Sequence, residues 1–218
     1  MAHQVSVVKP GEPPIYHHID PYNAYHAAKL GMWLFLATEI LLFAVLFAAF
    51  AIYNWAYFSE FQSASLNLDW KLGALNTAVL LISSYTAAVA VYKAQTNSNK
   101  GVVLNFGFSI LCGLIFLVVK YFEYSAKYEH GYFPGTELWN SEAFPSKYKN
   151  YFGLYYTMTG LHALHVVIGM GILSWVVLLA LRQRFSSKYY TPVELAALYW
   201  HLVDLIWIFL FPLLYLID

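Results

Sequence analysis

Residues 30–53 read LGMWLFLATEILLFAVLFAAFAIY, a run in which Glu39 is the one charged residue. A helix needs about 20 predominantly apolar residues to cross a hydrocarbon core about 30 Å thick. Similar runs recur along the chain, and the predicted spans are residues 30–53, 72–92, 102–122, 152–181 and 195–216. The sequence therefore predicts an all-α fold, a polytopic membrane protein built as a bundle of five transmembrane helices.

The overall composition leads to the same class. Of the 218 residues 60% are hydrophobic and 11% are charged, and the mean hydropathy is +0.54. Soluble domains carry about 25% charged residues, so five such helices in a soluble protein would lack a polar shell. The 12 basic and 12 acidic residues cancel, which argues against a basic nucleic-acid binder and against an acidic disordered tail. The single Cys112 excludes an intrachain disulfide and a cysteine-based metal cluster.

The distribution of charge predicts the organisation and orientation of the chain. A polar, cytoplasmic N-terminal segment, residues 1–28, precedes a five-helix domain, residues 29–218. With five spans, the N-terminus and the links 93–100 and 182–194 share one side of the membrane. That side holds more basic residues than the other: Lys9, Lys29, Lys93, Lys100, Arg182, Arg184 and Lys188 against Lys71, Lys127, Lys147 and Lys149. The positive-inside rule then places the N-terminus in the cytoplasm and the C-terminus outside.

Three of these basic residues, Lys93, Arg182 and Arg184, are candidate contacts for lipid headgroups at the cytoplasmic rim. Basic rims are also ordinary topology signals, so the sequence alone leaves both interpretations open.

Glu39 lies deep in the first span, nine residues from its start, or about 14 Å at helical rise. Its neighbours include Phe35 and Phe43, and such surroundings favour the neutral acid. Three roles remain open: a proton-relay site, a carboxyl hydrogen-bonded to a partner helix, or a protonated acid that merely joins two helices.

Histidines and one further carboxyl group occupy the last two spans. His162 and His165 share one helical face, and so do His201 and Asp204, because each pair is three residues apart. We expect a buried Asp204 to have a partner, with histidine as the best candidate. A bundle that carries two haems needs four axial histidines, and only three histidines lie in the predicted spans, so a haem pair is excluded. A single haem site using His201 with His162 or His165 stays possible. Interhelical hydrogen bonding is favoured.

Two further patterns concern helix packing. Lys120, Glu123 and Lys127 stand at i, i+3 and i+7 near the end of the third span, which predicts a ladder of ion pairs snorkelling to the interface. Glycines in the fourth span predict close approach of a neighbouring helix; they are Gly160, Gly169 and Gly171.

Several of these motifs together resemble a known family. The runs KLGMWLFLATE (29–39), NTAVLLISS (76–84), TGLHALHVVIG (159–169) and YWHLVDLIWIFLF (199–211), with the pair Glu123–Tyr124, follow one another in the order of that family. The chain resembles subunit III of the haem-copper terminal oxidases, in its five-helix bacterial form. It departs from the pattern at Lys120, where many relatives carry glutamine, and in the long loop 125–150, a candidate docking surface.

The resemblance implies a non-redox subunit of a proton-pumping cytochrome c oxidase that reduces O2 to water in aerobic respiration. Haem and copper would reside in partner subunits, chiefly subunit I, with subunit II and small subunits also bound. The subunit would pack on the catalytic subunit, hold phospholipid in a cleft between its helices, and support proton uptake and enzyme integrity. A place in a larger respiratory supercomplex stays open. The expected location is the bacterial inner membrane.

Within the family, Glu39 matches a carbodiimide-reactive glutamate beside the lipid cleft. Glu39, His162, His165, His201 and Asp204 are then the predicted buried polar framework. Three alternatives compete with this interpretation: a quinol oxidase subunit III, a haem b quinone-reactive membrane anchor, and an independent proton-coupled transporter motivated by Glu39 and Asp204.

Overall fold

The computed structural model describes residue 12 and residues 20–141 and 144–217, and these residues form seven helices. They are α1 (Pro21–Ala56), α2 (Phe58–Ser65), α3 (Trp70–Gln95), α4 (Asn99–Glu129), α5 (Glu137–Asn140), α6 (Ser146–Leu181) and α7 (Thr191–Tyr215). Five of them, α1, α3, α4, α6 and α7, are long and apolar enough to cross a membrane. The all-α prediction and the count of five spans are confirmed.

The helices extend beyond the predicted apolar spans. Helix α1 starts at Pro21, where the side chain of Asp20 accepts a hydrogen bond from the backbone N–H of Tyr22 and proline occupies the first turn. Residues 21–28 of the predicted polar segment therefore continue the first span as helix; residues 1–11 and 13–19 of that segment lie outside the described residues. Hydropathy marks where a helix meets lipid, whereas capping marks where it begins.

Four helices form a ring in which α3 contacts α4, α4 contacts α6, α6 contacts α7, and α7 contacts α3. Helix α1 lies outside this ring, against α6 and α7. The difference is visible in burial: 56% of the most apolar stretch of α7 is buried inside the chain, against 17% for α1. Because α1 is so lightly covered, the space beside it is where a cleft can open.

Trp200 of α7 packs closely against glycines on α6 and α4 inside the ring. A Cβ atom on Gly169 would lie 2.8 Å from its ring, and one on Gly113 would lie 2.9 Å from it. The predicted close approach is thus confirmed at Gly169. It is wrong at Gly160 and Gly171, where an added Cβ would meet nothing within 4 Å. Gly113 is a close contact that the sequence did not reveal.

The two long connections carry the short helices. Phe61 on α2 is fully buried and makes edge contacts with Phe50 of α1 and Tyr151 of α6. An ion pair between Glu60 and Lys147 ties the same helix to the start of α6. These contacts hold α2 as a cap on the α1–α6 end of the molecule.

Candidate functional site

Glu39 and His165 meet between α1 and α6. His165 Nε2 lies 2.9 Å from Glu39 Oε2, and His165 Nδ1 lies 2.7 Å from the carbonyl oxygen of Leu161. A carbonyl oxygen only accepts, so Nδ1 must donate. Nε2 of a neutral ring then accepts a hydrogen bond from a neutral Glu39, whereas Nε2 of an imidazolium donates one to the Glu39 carboxylate. One proton is therefore shared along this contact, which joins α1 to α6.

Aromatic rings surround this pair. The ring of Phe43, which is almost fully buried, stands edge-on to the imidazole of His165 at 5.3 Å, and Phe35 stacks on Tyr199 of α7 at 6.1 Å. The sequence predicted this apolar setting and a partner helix for Glu39. It did not identify the partner, because His165 is 126 residues away.

A cleft of about 850 Å³ opens between α1, α6 and α7, with the end of the α6–α7 connection and the start of α7, residues 187–192, at one end. Glu39 and His165 line it, and Glu39 lies 18 residues into α1, about 27 Å along its axis. The remaining walls are mainly apolar and aromatic; they include Met32, Ile168, Ile172, Trp175, Leu195 and Tyr199. An apolar cleft with the polar pair Glu39 and His165 on its wall suits a molecule with long hydrocarbon chains.

The two sides of the cleft are tied together at its rim. Glu194 at the start of α7 accepts hydrogen bonds from Lys29 Nζ and Tyr25 Oη of α1, each at 2.8 Å, and Lys29 also donates to Tyr25 Oη at 3.1 Å. Sequence reasoning placed Lys29 only among the basic residues of the rim. The pairing joins residues 165 positions apart, so periodicity gave no signal for it.

The cluster formed by Lys120, Glu123 and Lys127 is buried, which corrects the prediction of a snorkelling ladder. Lys120 is 4% exposed, Glu123 5% and Lys127 6%. Lys120 Nζ lies 2.9 Å from Glu123 Oε2 and Lys127 Nζ lies 3.7 Å from Glu123 Oε1, so the predicted ion pairs do form. The charges turn inward because the hydroxyls of Tyr155 and Tyr215 donate to Glu123 at 2.7 Å and accept from Lys120.

His162 and Asp204 are buried without hydrogen-bond partners among the described residues. His162 lies between the rings of Phe116 and Trp207, at 5.3 and 5.2 Å. The expected pair of Asp204 with His201 is wrong: His201 Nδ1 lies 2.7 Å from Ser84 Oγ. The hydroxyl of Ser84 also lies close to the Asp204 carboxyl, although neither carboxyl oxygen makes a well-formed hydrogen bond to a described residue.

The basic residues proposed for lipid headgroups lie at one end of the bundle. Lys93 lies in the last turn of α3, its aliphatic chain packs over Gly101, and it is partly buried. Arg182 and Arg184 follow α6 and are exposed. A second, smaller cavity of about 320 Å³ lies nearby and is lined by residues such as Lys100, Val103 and Leu181. Their role in lipid binding stays a prediction.

Within the part of the chain that the structure describes, no group of three or more His, Cys, Asp or Glu side chains is arranged to hold a metal ion.

Comparison with known proteins gives a consistent family match. The family model described as "Cytochrome c oxidase subunit III" matches residues 17–218. Cytochrome c oxidase subunit 3 of Alkalihalophilus pseudofirmus is 31% identical over 87% of this chain and 86% of its own length. The protein of the same name from Corynebacterium diphtheriae is 32% identical over 90% of this chain and 91% of its own. The "Probable quinol oxidase subunit 3" of Staphylococcus haemolyticus is 28% identical over 87% and 89%.

Proposed function

This chain belongs to the cytochrome c oxidase subunit III family, and on that premise we propose that it is the non-redox, lipid-holding subunit of a proton-pumping terminal oxidase. It packs on the haem-bearing catalytic subunit I, with subunit II and small subunits in the same complex. It sustains proton uptake and the integrity of the enzyme during turnover. Family membership favours this function over a haem b anchor or an independent transporter.

The cleft beside α1 is the observation that carries the proposal. Its walls are apolar, its volume of about 850 Å³ accommodates acyl chains, and Lys188 lies among the residues at its rim. A phospholipid placed here would keep its headgroup at the rim and extend its chains towards Glu39 and His165. A lipid in this position would also fill the space that leaves α1 so lightly packed.

Lipid occupancy is tested by filling the cleft. Ala28 lines it, whereas the adjacent Ala27 is exposed and lies outside it. Native mass spectrometry of the purified oxidase should show fewer bound phospholipids in Ala28→Trp than in the wild type and no change in Ala27→Trp. Equal lipid counts in the two variants would contradict a lipid site in the cleft.

The role of Glu39 is tested by turnover. Glu39→Gln keeps a hydrogen-bonding side chain beside His165 but cannot release a proton. We expect normal assembly and normal haem content, with activity lost after fewer turnovers than in the wild type. The matched control is Glu129→Gln, which removes an exposed carboxylate from the end of α4. Identical inactivation kinetics in the two variants would show that Glu39 is only structural.

The electron donor separates two related functions. Two relatives described above are named for cytochrome c oxidase and one for a quinol oxidase, so both donors fit the family. We propose cytochrome c as the donor, with a quinol as the alternative. Oxygen consumption by the purified complex, supplied with either reduced cytochrome c or a quinol, distinguishes them.

We place the protein in the bacterial inner membrane with its N-terminus in the cytoplasm, from the excess of basic residues on that side. Cys112, the single cysteine, is buried, so a new cysteine can be labelled selectively. A membrane-impermeant maleimide added to intact spheroplasts should label Lys149→Cys and should spare Arg184→Cys. The reverse pattern would invert the orientation.

A further inference from the structure

The outward side of α7 carries one polar residue in the middle of the membrane. Leu198, His201, Leu205 and Ile208 follow one another at helical spacing, and all four are at least partly exposed. His201 lies ten residues after Thr191, about 15 Å into a helix about 38 Å long. This stripe is separate from the cleft, which is lined from α7 by Leu195, Ala196 and Tyr199.

The imidazole of His201 is held in a fixed orientation. Its Nδ1 lies 2.7 Å from the hydroxyl oxygen of Ser84 on α3, which fixes the ring plane. Its Nε2 makes no hydrogen bond to any residue that the structure describes, and unlike the nitrogens of His162 it is not sealed inside the chain. One ring nitrogen of an ordered side chain thus points out of the bundle.

A polar nitrogen facing hydrocarbon at this depth is unfavourable. Lipid acyl chains offer no hydrogen-bonding group near the middle of the bilayer, so a polar group left unsatisfied there destabilises the structure. A transmembrane helix can supply such a group from a side chain. The chemistry at His201 therefore favours a protein helix over lipid as the covering element.

The surroundings of His201 suit a packed helix. Ala88 lies one turn beyond Ser84 on α3 and is exposed, as is Leu81 on the preceding turn. A small residue such as Ala88 beside a polar anchor is typical of close helix contacts in membranes, because it lets two backbones approach.

We propose that the α3–α7 face centred on His201 is the docking surface for the haem-bearing catalytic subunit, with His201 Nε2 hydrogen-bonded to a polar side chain on a transmembrane helix of that subunit. The inference rests on the proposed function and adds to it the face and the anchoring residue. His201 acts here as a positioning residue in assembly. His201 itself lies on α7, which is opposite α4 in the ring because α7 neighbours α3 and α6.

Site-specific photo-crosslinking in the assembled oxidase tests the surface. A benzophenone amino acid is placed at Leu205, 47% exposed on the proposed face, or at Leu111, 50% exposed on α4. We expect Leu205 to cross-link to the catalytic subunit, identified by its peptides and its haem, at least tenfold more than Leu111. Cross-linking of Leu205 only to lipid, or to a second copy of this chain, within an intact complex would overturn the proposed surface.

Substitution of the anchor gives an independent measurement. In His201→Leu the hydrogen bond is lost, and we expect about three- to tenfold weaker retention of haem on the tagged chain during detergent washing. His201→Gln keeps a hydrogen-bonding group and should retain haem as the wild type does. Equal retention in the Leu and Gln variants would refute the anchor. If wild-type chain itself brings no haem-bearing subunit, the proposed function fails, and the docking surface fails with it.

Discussion

Glu123→Gln is the most demanding test of the buried charge cluster. Glu123 is the one acidic group between two buried ammonium groups, Lys120 and Lys127, and it accepts hydrogen bonds from the hydroxyls of Tyr155 and Tyr215. The substitution preserves shape but leaves both lysines without a counter-charge in the bundle interior. Breaking a buried pair in this way costs about 3–5 kcal/mol, or about two to four orders of magnitude in the unfolding equilibrium.

The assay heats the purified oxidase and measures the temperature at which this subunit dissociates from the complex. Glu123→Gln should dissociate at a clearly lower temperature, whereas Glu129→Gln, at an exposed carboxylate six residues along the same helix, should behave as the wild type.

The double variant Lys120→Gln/Glu123→Gln sharpens the test. Removing Lys120 together with Glu123 takes away one of the two uncompensated charges, so part of the stability should return, with a coupling free energy of about 0.5–3 kcal/mol. If Glu123→Gln is as stable as Glu129→Gln, or if the double variant recovers nothing, the three side chains are not held together by charge.

Three further outcomes are expected from single substitutions. In thermal melts, Gly169→Ala should lower the free energy of unfolding by about 1–3 kcal/mol, because its Cβ would lie 2.8 Å from the indole ring of Trp200 on α7. Gly171→Ala should leave the free energy of unfolding unchanged in the same thermal melts, because its Cβ would meet no atom within 4 Å. The hydrogen bond from Lys147 lowers the pKa of Glu60 from 4.5 to about 2, so its stabilisation is complete above pH 4.5 and is lost as the pH falls towards 2. Melting temperatures of wild type and Lys147→Gln should therefore differ at pH 7 and converge over that range. In thermal melts, Asp204→Leu should raise the free energy of unfolding by about 1–3 kcal/mol, because it removes a buried carboxyl whose oxygens make no well-formed hydrogen bond to a described residue.

Hydropathy predicted the number and order of the spans because crossing the membrane imposes a length and a polarity on each helix. It missed the helical start at Pro21, which depends on a cap at Asp20 and on polar residues that lie beyond the apolar run. The two short helices in the connections were missed for a related reason: α2 is held by contacts such as Phe61 with Tyr151, and these join residues far apart in the sequence.

Side-chain spacing predicted which polar residues share a helix face, but not which way that face turns. Lys120, Glu123 and Lys127 do lie on one face, as their spacing indicates, yet this face points inward because Tyr155 and Tyr215 supply hydroxyls there. Spacing suggested that His201 would pair with Asp204, one turn away. Instead Ser84 lies close to both: its hydroxyl contacts His201 Nδ1, and the Asp204 carboxyl is buried nearby.

The buried polar groups differ in whether their hydrogen bonds are completed within this chain or are available to a partner. The Glu123 cluster is satisfied within the ring, and Glu39 and His165 satisfy each other across a cleft that stays open to a ligand. His201 is different, since one nitrogen is fixed by its own chain and the other points outward at mid-membrane depth. If this face contacted lipid alone, replacing the histidine with leucine would stabilise the protein, because the polar nitrogen would be unsatisfied there. An ordered, outward-facing imidazole therefore makes physical sense where another helix completes it, which is the situation of a subunit in an assembly.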